Sequence, residues 1–187
     1  MKRFLITTCL LCLLVPALMA QSDEEKVQAV MHADAIDWNS LADCLPDEAD
    51  DMDVSDVDGG TMSMADPTNP GSKFSYSFAE RTYTKGDNGI ILRITDTGYS
   101  QFLTMPYMMA FEMDTPDATI KSVKVGDRDA KFIQNKEKGK VISTQYLILI
   151  SERVLVMAEN DGGASKDEIE SMLKKIDFEK LTKLAAK

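Results

Sequence analysis

Cysteine and histidine are scarce in this chain of 187 residues, which contains three cysteines and one histidine. Cys9 and Cys12 lie in an apolar N-terminal stretch, and His32 lies in the polar segment that follows it. The sequence therefore lacks the parts of a Ser-His-Asp triad on a packed scaffold and of a histidine-based zinc site. Cys44 alone remains in the segment that we expect to fold, and its apolar neighbours predict a buried side chain.

Glycine-rich signature motifs are also missing. The sequence has no G-x-S-x-G motif, no phosphate-binding glycine loop and no G-x-G-x-x-G turn. Carboxylates are so abundant, with 31 Asp and Glu residues, that no pair of them stands out as an acid and base. We therefore predict no catalytic residue and no cofactor, and an enzyme of an unrecognised class is one alternative.

Positive charge is in deficit. The chain has 21 Lys and Arg residues against 31 Asp and Glu residues, which gives a net charge of −10. Lys2 and Arg3 both lie in the first twenty residues, so the remainder of the chain is more acidic still. An acidic surface repels phosphate backbones and anionic headgroups, and nucleic acid is not expected as a partner.

No apolar run is long enough to span a bilayer comfortably. The main apolar stretch begins at Phe4 and ends at Val15, after Lys2 and Arg3 and before the small residues that end at Ala20. A basic start, a short apolar core and a small residue at the cleavage position indicate a signal peptide over residues 1–20. We expect an exported protein, periplasmic or extracellular, without a transmembrane anchor.

The rest of the chain predicts a polar leader over residues 21–35 and a single α+β domain over residues 36–187. Alternating and apolar stretches predict strands, which lie at 74–83, 90–95, 120–125, 130–134, 141–150 and 154–158. Helices are expected after Asp37, over Met105–Met113 and after the capping box of Ser165 and Glu168. Residues 47–73 read as a long irregular connection with room for one short strand. The predicted fold is a mainly antiparallel sheet of about five to seven strands packed against N-terminal, middle and C-terminal helices.

A dense run of carboxylates follows the first predicted helix. Calcium binds six to eight oxygens, and the candidate ligands are Asp51, Asp53, Asp56 and Asp58. The register of a helix-loop-helix calcium loop fails, because Asp56 stands where glycine is required and Met62 where a bidentate glutamate belongs. A solvated acidic loop is the main interpretation, and calcium handling is an alternative.

Methionines recur on one face of the predicted middle helix, at Met105, Met108, Met109 and Met113. Thioethers are soft ligands, and several converging methionines can bind Cu(I) in an exported protein. Methionine also fills irregular gaps in cores, and the spacing favours this interpretation. Copper handling is therefore the second metal alternative.

Six segments of the chain form a familiar set: Leu41–Pro46 with the acidic loop after it, Ser77–Tyr83, Ile90–Gly98, the predicted Met-rich and Ala-containing helix, Arg153–Val156 and Ile176–Leu181. Together they cover most of residues 36–181 and resemble an uncharacterised group of small exported bacterial proteins. The resemblance implies a shared single-domain fold and a bacterial envelope or extracellular setting. It implies no activity.

These observations predict a non-catalytic binding or interaction module whose partner is a protein or small molecule of the cell envelope. We expect its binding groove to lie between the sheet and the helices, bordered by residues 47–73 and 101–113.

Overall fold

Strands make up most of the structure. The computed structural model describes residues 34–65, 73–98, 112–161 and 164–186, and these ranges contain nine strands and three short helices. The helices are α1 (Trp38–Ala42), α2 (Lys166–Lys174) and α3 (Phe178–Ala185). The strands are β1 (Asp53–Val54), β2 (Asp58–Ala65), β3 (Lys73–Lys85), β4 (Asn88–Asp96), β5 (Met113–Asp114), β6 (Ala118–Val125), β7 (Arg128–Glu137), β8 (Lys140–Ile150) and β9 (Val154–Asp161).

All nine strands belong to one antiparallel sheet, whose spatial order is β1-β3-β4-β9-β8-β7-β6-β5. β3 pairs with β4 along one side, and its other side pairs with both β2 and β1. The far side of the sheet ends at β6, to which β5 adds a pairing of two residues. Within the described residues, β2 and β6 are therefore the long strands at the two edges.

One face of the sheet carries the core. Directly opposed residues of antiparallel strands point to the same side, so Leu92, Ala158 and Tyr146 form one buried row across β4, β9 and β8. Helix residues such as Leu41 and Leu173 are fully buried against this face. Each such side chain stabilises the fold by about 1.5–3 kcal/mol relative to an exposed one.

The helices begin at the caps that the sequence predicts. Ser165 and Glu168 form a reciprocal capping box at α2, and the Asp177 side chain accepts a hydrogen bond from the backbone N–H of Lys180 at α3. The Asp37 side chain caps α1. These caps fix where each helix meets the sheet.

A buried ion pair fastens the residues before α1 to the sheet. The Arg153 guanidinium donates to Asp96 through Nε–Oδ1 (2.9 Å) and Nη2–Oδ2 (3.0 Å), and the two residues are 2 % and 0 % exposed. The backbone N–H of Ile36 donates to the same carboxylate at 2.6 Å, and Arg153 Nη2 donates to the Asp34 carbonyl at 2.6 Å. Ser77 Oγ donates to the Ile36 carbonyl at 2.5 Å. This network sets the position from which α1 starts.

The predicted fold of about five to seven strands with three packed helices is wrong. The described residues form nine strands, and α1 has only five residues. Two of the additional strands, β1 and β2, lie in residues 47–73, which the sequence analysis treats as a mainly irregular connection. The polar and small residues of β1 and β2 form strands because the 13-residue β3 pairs with them along the side that does not face β4. Met113, expected at the end of a helix, lies in β5, and most of the predicted middle helix lies outside the described residues.

None of the described helices combines the length and apolar character that crossing a membrane requires.

Candidate functional site

The four candidate carboxylate ligands for calcium do not form one group. Asp51 pairs with the Lys85 ammonium, and this hydrogen bond holds the pKa of Asp51 below its ordinary value. Asp53 lies in β1, Asp56 in the following loop and Asp58 at the start of β2. In the described ranges, no three His, Cys, Asp or Glu side chains come together as a group that could hold a metal ion.

A cavity of about 460 Å³ lies beside the acidic segment, lined by residues that include Asp47, Glu48, Asp50, Met52, Val54 and Lys175. Two of its carboxylates are already paired, Asp47 with Arg81 at 2.6 Å and Asp50 with Lys175 at 2.6 Å. The cavity thus lies along residues 47–54, which form part of one predicted border of the binding groove. Residues 101–111 of the other predicted border lie outside the described residues.

The four methionines proposed as copper ligands are only partly placed by the structure. Met105, Met108 and Met109 lie outside the described residues. Met113 lies in β5 opposite Ile120 and is partly buried. The prediction that Met113 lies on a helical face is therefore wrong. Copper binding by the other three methionines, the alternative interpretation, stays a prediction.

Cys44 is buried, as the sequence predicts, with 2 % of its surface exposed. Its thiol donates to the Ser40 carbonyl at 3.4 Å, and burial raises its pKa to about 11. Because the thiolate is the reactive form, this thiol is poorly suited to chemistry at neutral pH.

Ser122 and Lys131 form a pair at the β6 edge that resembles a nucleophile and its base. Lys131 Nζ donates to Ser122 Oγ at 3.0 Å, and Lys131 is 8 % exposed. A Ser-Lys hydrolase also needs backbone N–H donors for an oxyanion. The Ser122 N–H instead donates to Glu112 Oε1 at 3.2 Å, and a carboxylate there would repel an oxyanion. The arrangement favours a structural role.

The outer edge of β2, called the open edge below, differs from these candidates. From Gly59 to Ala65 the strand contains neither a charged residue nor a proline, and its side chains at Thr61, Met62 and Ser63 are exposed. Met62 is 49 % exposed, the largest value among the exposed large apolar side chains of the described residues. No strand of the described ranges pairs with this edge.

The inner side of β2 is held firmly by β3. Ser63 Oγ and Ser75 Oγ share a hydrogen bond of 2.7 Å, and Tyr76 Oη donates to Met62 Sδ at 2.7 Å. At Gly59, an added Cβ would lie 2.5 Å from Cε3 of Trp38, so the absence of a side chain lets the α1 ring lie on the strand. The open edge is therefore part of a packed unit and not a loose hairpin.

The carboxylates before the open edge fall into two sets. Asp43, Asp47, Asp50 and Asp51 pair with Lys180, Arg81, Lys175 and Lys85. Asp53, Asp56 and Asp58, which lead into β2, have no ion pair with any residue of the described ranges. The negative charge at this end of the strand is consequently uncompensated within that part of the chain.

The opposite edge of the sheet, called the charged edge below, runs along β6. Its residues Lys121 and Lys124 are exposed, although Lys121 Nζ lies 5.2 Å from the centroid of the Phe132 ring and Lys124 pairs with Asp129 at 2.9 Å. β5 occupies the first residues of this edge. The Ser122 N–H is satisfied by Glu112, as described above. Lysines and short flanking strands are common devices that prevent edge pairing.

Sequence reasoning missed the open edge because residues 58–65 contain no aromatic residue and only one β-branched residue, Thr61, and these are the residue types that mark strands. A signal was present in the alternation of Thr61 and Ser63 with Met62 and Met64 after two glycines. Only the pairing with β3 turns this weak pattern into a strand.

Comparisons with known proteins give no relative: no protein family, no curated protein and no solved structure matches this chain. The function proposed below is therefore inferred from the geometry of the two edges.

Proposed function

We propose that this protein is an exported, non-catalytic interaction module that binds an extended polypeptide segment along the open edge. The observation that carries the proposal is the eight-residue strand Asp58–Ala65, uncharged from Gly59 onward, with exposed side chains and no partner strand in the described ranges. The N-terminal signal-peptide pattern supports export, and the partner would be a protein of the cell envelope or its surroundings.

Backbone chemistry explains why such an edge binds peptides. A strand at the edge of a sheet has a row of N–H and C=O groups that are not paired with another strand. An extended peptide satisfies them by adding one more strand, and the main-chain hydrogen bonds supply much of the affinity.

Side chains of β2 would provide selectivity. Thr61 and Ser63 lie on the helix-covered side of the sheet, while Met62 lies on the other side. An added strand would place alternate side chains beside these two rows. Small side chains next to the hydroxyl row and an apolar one next to Met62 fit this pattern best.

The test is selection of random 12-residue peptides displayed on phage, using the full folded protein as bait. The variant T61K/S63K places two charges along the open edge at exposed positions, and the matched control S171K/T182K adds the same two lysines on exposed sites of α2 and α3. We expect peptides enriched on the wild type to bind the control equally and the edge variant at least tenfold more weakly.

Circular dichroism of all three proteins checks that each is folded. The proposal is wrong if no peptide is enriched on the wild type, or if enriched peptides bind T61K/S63K as tightly as the control.

A further inference from the structure

The open edge has a charge polarity that selects its partner. Resting on the function proposed above, we infer that the bound segment runs antiparallel to β2 and carries Lys or Arg residues after its strand-forming part, where they face Asp53, Asp56 and Asp58. The juxtaposition that carries this inference is the uncharged stretch from Gly59 to Ala65 and, just before it, three carboxylates that pair with no cation of the described residues.

The direction follows from the sheet itself. Every strand pair among the described residues is antiparallel, and antiparallel pairing is slightly more stable per residue than parallel pairing. An antiparallel partner beside β2 has its C-terminal end next to Asp58. Cations on that end meet the carboxylates, whereas cations on the N-terminal end lie beyond Ala65, about eight residues and roughly 27 Å away.

The charge requirement follows from the division of the acidic residues. Asp47 and Asp51, farther from the edge, already have Arg81 and Lys85 as partners. Asp58 lies opposite Glu80, a second carboxylate, and Arg93 Nε donates to Glu80 at 2.6 Å, so this guanidinium already has a carboxylate partner. No cation of the described ranges pairs with the three carboxylates at this end, and a basic partner would supply one.

The same charges disfavour a second copy of this chain as the partner. A second copy has no lysine or arginine between Gly59 and Ala65 to offer these carboxylates, and it has the same net charge of −10 as the first. Two chains of like net charge repel each other. A basic segment from another chain avoids this repulsion.

The experiment measures fluorescence anisotropy of three capped synthetic peptides on the full protein. All three contain four Thr-Val repeats; one ends in two lysines, one begins with two lysines and one ends in two glutamates. At about 50 mM salt we expect the C-terminal lysine peptide to bind roughly fivefold tighter than the N-terminal one, and the glutamate peptide to bind weakest, since exposed ion pairs contribute modestly. At about 500 mM salt screening should reduce the preference to less than twofold.

Two variants locate the effect. D56N/D58N should abolish the preference for C-terminal lysines, and the matched control D117N/D127N, at exposed turns elsewhere, should keep it. Equal binding of both lysine peptides to the wild type, or a preference that survives in D56N/D58N, overturns the inference while the proposed function stands. Failure of all three peptides to compete with phage-selected peptides for the open edge also overturns it. Failure of both the phage selection and the designed peptides overturns the proposed function as well.

Concentration-dependent dimerisation of the wild type, measured by sedimentation equilibrium, would identify a second copy as the partner and overturn the inference. We expect a monomer at all concentrations up to about 100 µM, because uncompensated net charge opposes self-association.

Discussion

The two edges of the sheet differ in how they limit strand pairing. The charged edge has exposed lysines, a short covering strand and a carboxylate bound to the Ser122 N–H. The open edge has none of these among its residues Gly59–Ala65, although it is packed just as firmly against its neighbouring strand. Since pairing at an unprotected edge risks aggregation, this difference is the basis of our proposal that the open edge binds a partner and the charged edge does not.

The largest expected loss of stability comes from breaking the buried ion pair that fastens the residues before α1 to the sheet. Arg153→Met leaves the Asp96 carboxylate buried without its cation, and we expect a loss of about 3–5 kcal/mol in the free energy of unfolding by urea denaturation. The control Arg93→Met removes an ion pair in which the arginine side chain is 45 % exposed, and it should cost less than about 1 kcal/mol.

A second variant distinguishes the stability lost through an uncompensated buried charge from the stability lost through poorer packing. The double variant Asp96→Leu with Arg153→Met removes both charges, and it should recover part of the stability that the single variant loses. Equal losses for Arg153→Met and Arg93→Met would show that the buried network does not hold residues 34–36 in place.

A smaller effect is expected at the base of the open edge. In Gly59→Ala the new Cβ would lie 2.5 Å from the Trp38 ring and 2.7 Å from the Phe78 carbonyl oxygen, so ring or strand must move. We expect a loss of about 1–3 kcal/mol. The adjacent Gly60→Ala is the matched control, because its Cβ meets nothing closer than 4.0 Å.

Thermal unfolding followed by circular dichroism compares the two glycine variants. If Gly60→Ala is destabilised as much as Gly59→Ala, strand flexibility and not the Trp38 contact requires glycine here. If only Gly59→Ala is affected, peptide binding by that variant shows whether α1 supports the open edge.

The charged edge offers the converse test. Replacing Lys121 and Lys124 with threonine removes the exposed positive charges from β6, and we expect weak association above about 100 µM in sedimentation velocity. The control Lys174→Thr with Lys183→Thr removes the same charge from helices α2 and α3. Both variants raise the net negative charge by two, which opposes association. Association of the control as well would therefore mean that protection of the β6 edge is not what keeps the protein monomeric.

The strand pairs and caps that local pattern specifies were predictable from the sequence. The predicted hairpin around residues 85–89 is present, with Tyr83 paired to Ile90, and a helix begins at the predicted capping box of Ser165. In both cases the signal lies within a few residues, through alternation in the hairpin and through side-chain hydrogen bonds at the helix start.

The open edge and the buried network were not predictable because their partners lie far apart in the chain. Asp96 and Arg153 are separated by 57 positions, and Ser77 reaches Ile36 across 41. β2 becomes a strand through β3, whose length exceeds that of its hairpin partner β4. Local propensity carries no information on such contacts, and an edge strand needs only one neighbour to form.

The smallest expected effect concerns the capping box of α2, a helix that packs mainly on β9 and β6. Ser165→Ala removes the oxygen that accepts from the Glu168 N–H at 3.3 Å, and it should cost about 1 kcal/mol in urea denaturation at pH 7. Peptide binding at the open edge should not change. A tenfold loss of peptide affinity in this variant would show that the open edge depends on α2 after all.

The same cap predicts a pH dependence with a defined sign. The backbone N–H of Ser165 donates to Glu168 at 2.7 Å and lowers the pKa of that carboxyl from its ordinary 4.5. A lowered folded pKa means that the stabilisation is complete above pH 4.5 and is lost as the pH falls through the lower value. Glu168→Gln cannot titrate, so the stability difference between wild type and this variant should shrink in that acidic range. A difference that stays constant from pH 7 to about pH 3 would show that the carboxylate charge contributes nothing at this helix start.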